Sequence, residues 1–135
     1  MIFTMTKKVY GFECDIYGHL NNANYLQVFE AARSDALTDM EVPIHKFSEM
    51  NIQLFVARVE IEYKKGVQLE DIITVKSCMT EANRLGSFWK QEIFDSKGNL
   101  CAKALLRAVH TRDAKPFRIE QELANYFIKF VEKSE

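Results

Sequence analysis

Between Phe55 and Thr111 the chain carries four stretches patterned as strands, each joined to the next by a short turn, and this succession limits the fold more than any other feature. Phe55, Ala57, Val59, Ile61 and Tyr63 alternate with Val56, Arg58, Glu60, Glu62 and Lys64, the period of two expected of a strand with one face covered. Gly66 marks a turn, and from Ile72 to Met79 the residues Ile73, Val75 and Met79 alternate with Thr74, Lys76 and Cys78. Asn83-Arg84-Leu85-Gly86 predicts a second turn, Ser87 to Phe94 an aromatic-rich strand, Ser96-Lys97-Gly98-Asn99 a hairpin turn and Leu100 to Thr111 a last strand. Strands linked this closely pair antiparallel, because a parallel return needs a crossover of about a dozen residues or more.

The sheet has a long helix to accommodate. From Ala23 to Asp39 there is no Gly or Pro; Tyr25, Val28, Phe29, Ala32 and Ala36 recur at helical spacing, and Leu26 and Leu37 widen the apolar surface. So broad a stripe suits a helix wrapped by other structure. On the last strand Ala102, Ala104 and Ala108 share a face with Leu106, and small residues in line let a helix lie close. A short strand is expected at Lys7 to Phe12. Pro43 and Pro116 each fall near the edge of a helical segment, and Leu123, Tyr126, Phe127, Phe130 and Val131 predict an amphipathic C-terminal helix packed on the body or on a partner subunit. The expected class is α+β, a single domain over residues 1–135 with a curved antiparallel sheet around a central helix, which is the hotdog arrangement.

Composition narrows the function classes. The 135 residues carry 18 Lys+Arg against 19 Asp+Glu, interleaved along the chain, so no concentrated basic patch points to nucleic acid. Three cysteines, Cys14, Cys78 and Cys101, without CxxC spacing argue against a disulfide framework or zinc knuckle, and a reducing cytoplasmic location is expected. No window has the length or apolarity of a signal peptide or membrane span. The five glycines form neither GxGxxG nor GxxxxGK[ST], and GxSxG and HExxH are absent. His19, His45 and His110 lie far apart in sequence, so no metal is expected; His45 is placed in a loop and His110 on a strand.

The densest chemistry lies in Asp15-Ile16-Tyr17-Gly18-His19-Leu20-Asn21-Asn22-Ala23-Asn24-Tyr25, at the entry to the long helix. The first N–H groups of a helix lack intrahelical acceptors and sit at the positive end of its dipole, so they suit a developing oxyanion. A carboxylate one loop earlier would then attack the same carbon or activate a water. The same residues also fit a plain helix cap and loop turn. Cys14 has no histidine placed to activate it and is assigned a structural role. Glu30 and Arg33, at i and i+3, are expected to form an ion pair along the helix.

Asp15-x-x-Gly18-His19-x-Asn21-Asn22-Ala23-Asn24-Tyr25-Leu26, followed by Phe29-Glu30-Ala31-Ala32-Arg33, resembles the signature of hotdog acyl-CoA thioesterases of the 4-hydroxybenzoyl-CoA thioesterase type. Within that group it is most similar to the bacterial long-chain acyl-CoA thioesterase III branch. The likeness runs from about Val9 to Arg112 and takes in Asn51-Ile52 and Ile61-Glu62-Tyr63-Lys64-Lys65. The resemblance implies that Asp15 is the catalytic carboxylate, as nucleophile or general base, that the backbone N–H of Asn22 is the oxyanion donor, and that His19 orients the loop or the thioester. Gly18, Tyr25, Glu30 and Phe55 are the candidates for contacting substrate, with Gly18 standing where the branch often has a larger polar residue. Pocket depth is expected to depend on how Phe29, Phe55, Trp89 and residues from a partner subunit pack, and Lys64, Lys65 and Arg84 are candidates for the phosphates of coenzyme A.

The implied reaction is hydrolysis of a medium- to long-chain fatty acyl-CoA to free acid and coenzyme A. No cofactor is expected beyond the coenzyme A carried by the substrate. Sites would lie between the subunits of a homodimer, or of a homotetramer built from such dimers. A thioester suits sparse equipment, since its leaving thiol has a pKa of about 8.5 and one well-placed oxyanion donor lowers a barrier by about 3 to 4 kcal/mol. The alternatives are a hotdog dehydratase acting on 3-hydroxyacyl thioesters with His19 as base, and a non-catalytic acyl-CoA-binding module.

Overall fold

The structure, a computed structural model, describes residues 1–133. Its strands are β1 (Phe3–Lys8), β2 (Gln53–Tyr63), β3 (Ile72–Ala82), β4 (Gly86–Phe94), β5 (Leu100–Arg112) and β6 (Lys115–Pro116); its helices are α1 (Tyr25–Asp39), α2 (Ile44–Glu49) and α3 (Gln121–Ile128). Single turns of 3₁₀ helix occupy Gly11–Glu13 and Asn22–Asn24. The four strand-patterned stretches, β2 to β5, and β1 pair antiparallel in the order β1-β3-β4-β5-β2, with β6 added to β5, and the sheet curls around α1. This is the hotdog fold. None of the helices is long and apolar enough to cross a membrane.

The first strand departs from its expected bounds. It starts at Phe3 and ends at Lys8, because Phe3 through Lys8 pair with Ser77 through Ile72 of β3 while Gly11–Glu13 wind into a 3₁₀ turn. Helix α2 follows directly on Pro43, and α3 follows Pro116 after a short connection. The C-terminal helix packs on the body of its own chain: Ala124 and Phe127 are buried, and the Phe127 ring stacks on Phe47 of α2 at 5.7 Å.

Val28, Phe29 and Ala32 of α1 pack with Ile73 and Val75 of β3, Ile93 of β4, and Ala102 and Ala104 of β5. Further along α1, Ala36 and Leu37 join Met79, Trp89 and Leu106. Each large apolar side chain buried in this way contributes about 1.5 to 3 kcal/mol. Helix α1 is seated toward β1 and β3, so the concave face of β2 and the neighbouring part of β5 is left less covered. Gln91 of β4, fully buried, fixes that seat. Its amide nitrogen donates to the Phe29 carbonyl and to Ser77 Oγ, both at 2.9 Å, and its oxygen accepts from Arg33 Nη1 at 2.8 Å.

Strand β2 breaks the strict alternation read from its sequence. Its register against β5 shifts between Val56 and Arg58, leaving Ala57 as an extra residue in a β-bulge. Leu54 and Val56 therefore share the concave face with Val59, Ile61 and Tyr63, while Phe55 turns to the convex side opposite Val109 and is 61% exposed. Within one chain the bulge therefore takes Phe55 off the concave face, where strict alternation with Val59 and Ile61 would have put it.

A partly buried ion pair anchors the segment leading to α1. Lys7 Nζ lies 2.6 Å from Glu13 Oε1, which also accepts the Tyr10 N–H at 3.0 Å. Burial would raise the Glu13 carboxyl, but the Lys7 hydrogen bond, the Tyr10 N–H and the Lys7 charge outweigh it and hold the carboxyl below its ordinary value. A carboxyl lowered by folding adds stability at neutral pH, and that stability is lost as pH falls through the lowered value. Glu13→Gln, measured by urea unfolding across pH, is expected to be less stable than wild type at pH about 7 and to converge with it in acid. Gln91→Leu removes the partner of Arg33 and Ser77 together; a loss of about 2 to 4 kcal/mol is expected in the same assay.

Candidate active site

The loop from Glu13 to Asn21 folds back on itself. The Asn21 N–H donates to the Glu13 carbonyl at 2.9 Å, Cys14 and Leu20 form a β-bridge, and the Asp15 N–H donates to the His19 carbonyl at 2.9 Å. Gly18 closes the turn with φ +77°, a left-handed conformation that glycine adopts without strain. The loop is fastened to the β2–β3 connection, where the Leu20 N–H meets the Val67 carbonyl at 2.7 Å and the Leu69 N–H meets the Gly18 carbonyl at 2.9 Å. A Cβ on Gly66 would come within 3.1 Å of the His19 ring, so the imidazole lies flush on a position that has no side chain.

Asp15 is half-buried and uses one carboxylate oxygen within the loop. Oδ1 accepts from the N–H groups of Tyr17 at 2.9 Å and His19 at 3.3 Å. Oδ2 has no hydrogen-bond partner among the described residues, so one oxygen is oriented by the backbone and the other is available to a ligand or water.

At the start of the helix, Asn21 Oδ1 accepts from the Ala23 N–H at 3.0 Å, and its carbonyl accepts from the Asn24 N–H at 2.8 Å. These bonds cap the 3₁₀ turn and pass over Asn22. The exposed Asn22 N–H has no acceptor among the described residues, whereas the Asn22 carbonyl accepts from the Tyr63 hydroxyl at 3.2 Å. Tyr63, at the end of β2, meets Tyr25 edge-on at 4.9 Å. Together they tie the start of α1 to that end of the strand. Tyr63 was not singled out from the sequence, because nothing local distinguishes it from the other apolar members of β2.

The remaining candidates separate. Tyr25 is 3% exposed in the core, and burial pushes its phenol above the ordinary value, so its contact is with the fold and not with a cavity. Glu30 is exposed on α1, and Arg33 turns from it to bond Gln91, so no Glu30–Arg33 hydrogen bond or close ion pair forms in the structure. Lys64 pairs with Glu62 at 3.1 Å and Lys65 with Asp95 at 2.9 Å, both near the end of β2 where Asp15 lies. Arg84 is at the opposite end of the sheet from Lys64 and Lys65, its Nε donating to the Ile119 carbonyl at 2.8 Å, so the three basic candidates are not brought together within one chain. Cys14 bonds the Tyr10 carbonyl; burial and then the Asp15 and Glu13 charges raise its thiol and disfavour a thiolate. No group of three or more metal-ligating side chains occurs among the described residues.

A cavity of about 540 Å³ opens where α1 leaves the concave sheet uncovered. Its rim includes Gln27, Glu30 and Val56, and it runs inward to Phe47, Trp89 and His110. Trp89 therefore lines a pocket as expected, while Phe29 is sealed in the core. Neither Asp15 nor Asn22 touches this cavity. They stand at the Tyr63 end of β2, and the cavity meets β2 at Gln53–Val56, the other end.

The family model described as the thioesterase-like superfamily matches residues 12–127. The long-chain acyl-CoA thioesterase FadM of Escherichia coli (strain K12) is 30% identical over 119 residues, spanning 86% of this chain and 89% of that relative. The crystal structure of YbaW, a probable thioesterase from Escherichia coli, is 28% identical and superposes with a TM-score of 0.82, covering 96% of this chain and 99% of that one. The DHNA-CoA thioesterase of Staphylococcus aureus shares the fold at a TM-score of 0.89 and 23% identity, over 95% of this chain and 89% of that one. A family match across most of the chain, a sequence relative of nearly equal length and a shared sheet-and-helix architecture agree: the chain belongs to the thioesterase-like superfamily as a hotdog-fold thioester hydrolase.

Proposed function

We propose that the chain hydrolyses a medium- to long-chain fatty acyl-CoA, with Asp15 as the reacting carboxylate and the Asn22 N–H as the oxyanion donor. The observation that carries this reading is the unclaimed Asn22 peptide N–H at the first turn before α1, on the same loop assembly as a carboxylate with one free oxygen. The thioester carbonyl oxygen accepts from Asn22, which stabilises the charge that develops there. Asp15 Oδ2 either takes a proton from the water that adds to the carbonyl carbon, or adds to that carbon itself, in which case C–S cleavage leaves a mixed anhydride that water then hydrolyses to the free acid and the Asp15 carboxylate. Expulsion of the coenzyme A thiolate needs little assistance from an acid. His19, lying on Gly66, positions the loop between them.

The acyl pocket in this reading comes from a second copy of the chain. Strand β2 is the edge of the sheet, with its outer hydrogen-bonding groups unpaired and Phe55, Val56 and Tyr63 exposed at 61%, 44% and 52%. Antiparallel pairing of two β2 edges about a two-fold axis sets the Tyr63 end of one beside the Gln53 end of the other. Asp15 and Asn22 of one subunit then face the cavity of its partner. The separation of carboxylate and cavity within one chain supports this arrangement.

Thiol release from dodecanoyl-CoA tests the chemistry: Asp15→Asn is expected to lower kcat by about 10² to 10⁴-fold with the oligomer intact, and Asn22→Ala to leave it within about threefold, since only the peptide N–H is used. Full activity in Asp15→Asn would remove the carboxylate from the mechanism. Mixing two inactive variants tests the assembly. Asp15→Asn keeps the cavity and Ala31→Trp blocks its rim while keeping Asp15, so random reassociation is expected to restore about one quarter of wild-type activity. No recovery would place both halves of the site in one subunit.

A further inference from the structure

A polar atom of a buried side chain lining the cavity has no hydrogen-bond partner among the described residues. His110 is 5% exposed on the concave face of β5, opposite Leu54, and its ring packs 6.4 Å from that of Phe127. Its Nδ1 lies 3.2 Å from the Arg84 carbonyl oxygen. A carbonyl only accepts, so Nδ1 carries the hydrogen, and a neutral ring presents a lone pair at Nε2. Burial lowers the imidazole's pKa against the opposing effect of the Arg84 carbonyl, which favours that neutral ring. Nε2 has no hydrogen-bond partner among the described residues, although every fully enclosed side-chain nitrogen or oxygen among them has one. The atom is therefore not sealed by protein, and the ring lines the cavity.

The neighbouring polar side chains are already engaged. Trp89 Nε1 donates to Ser87 Oγ at 2.9 Å, Asn83 Oδ1 accepts from the N–H groups of Leu85 and Gly86, and Arg84 Nε is held by Ile119. Around them the cavity presents Leu37, Ile52, Leu54 and Phe47, with Gln27, Glu30, Ser34 and Ser48 among the polar side chains of its further lining. An unsubstituted alkyl chain drawn into this space displaces water from Nε2 and leaves the acceptor bare. A chain that carries a hydroxyl replaces that water with an O–H donor.

We propose that His110 is a specificity-determining residue and that the cavity selects a fatty acyl chain bearing a hydroxyl group, which donates to His110 Nε2. The proposal rests on the reading above in which the cavity receives the acyl group of the thioester. The cavity extends along α1 from Gln27 to Leu37, ten residues and so about 15 Å, which suits an extended chain better than one small ring.

The test compares thiol release from octanoyl-, dodecanoyl- and hexadecanoyl-CoA with the same chains hydroxylated at successive carbons, using wild type, His110→Phe and His110→Gln. At least one hydroxylated chain is expected to exceed its parent by roughly tenfold in kcat/KM. His110→Phe should abolish that preference, and His110→Gln, which keeps an acceptor, should retain part of it. Nitrogen NMR of the wild-type ring gives a readout independent of hydrolysis and of any variant's folding. The Nε2 resonance should shift on adding the preferred hydroxy acid and not on adding the plain acid. Equal rates across the series, a preference unchanged in His110→Phe, or an Nε2 that responds to neither acid and so holds water only, would each overturn the proposal. An Nε2 response without hydrolysis of any acyl-CoA would overturn the catalytic reading and leave the hydroxyl site standing.

Discussion

A single buried amide governs where the long helix sits. Gln91 reaches from the middle of the sheet to the Phe29 carbonyl on α1, holds Ser77 on the adjacent strand and neutralises the directional demand of the Arg33 guanidinium. In a low-dielectric interior each of these groups is costly to leave unpaired, so the network specifies one register of helix on sheet where apolar contacts alone would tolerate several. Two consequences follow from that seat. The first turn of α1 is held at the Tyr63 end of β2, where the Asp15 loop is fastened, and the concave face near β2 stays open as a cavity.

The polar site and the apolar cavity therefore occupy opposite ends of one strand. This division has a physical logic: a caps-and-turns segment rich in exposed N–H groups needs water or ligand nearby, while apolar cavity walls gain by keeping water out. Exposed apolar residues along β2 mark the boundary between the two. Those residues form no core in the chain described here, and their burial in an assembly would add to the driving force for association.

The antiparallel sheet, the wrapped helix and the C-terminal helix were legible because each rests on periodicity sustained over many residues, and the turn at Gly18 because glycine has a conformational reason to be there. The segment Asp15 to Tyr25 stood out as a candidate site because acid, imidazole and amides are crowded into the approach to a helix. What escaped notice was long-range. Gln91 looks like any outward polar member of an alternating strand until Ser77 of β3 and Phe29 and Arg33 of α1 are brought to it. Glu13 meets Lys7 only after the chain turns at Gly11, and Arg33 abandons its helical neighbour Glu30 because a buried acceptor outbids an exposed carboxylate. Phe55 was misplaced for a different reason: strict alternation cannot reveal a residue that the ladder skips.

That skipped residue bears on how a chain of this kind changes length over generations. Because Ala57 pairs with nothing on β5, loss of its codon would straighten the ladder while Val56 and Val59 kept their facing, and the cavity wall would survive the deletion. Removal of any paired residue from the same strand lacks that cushion and forces a compensating slip. Insertions and deletions that descendants tolerate within this strand are thus steered to one position, and the lining of the pocket is shielded from them.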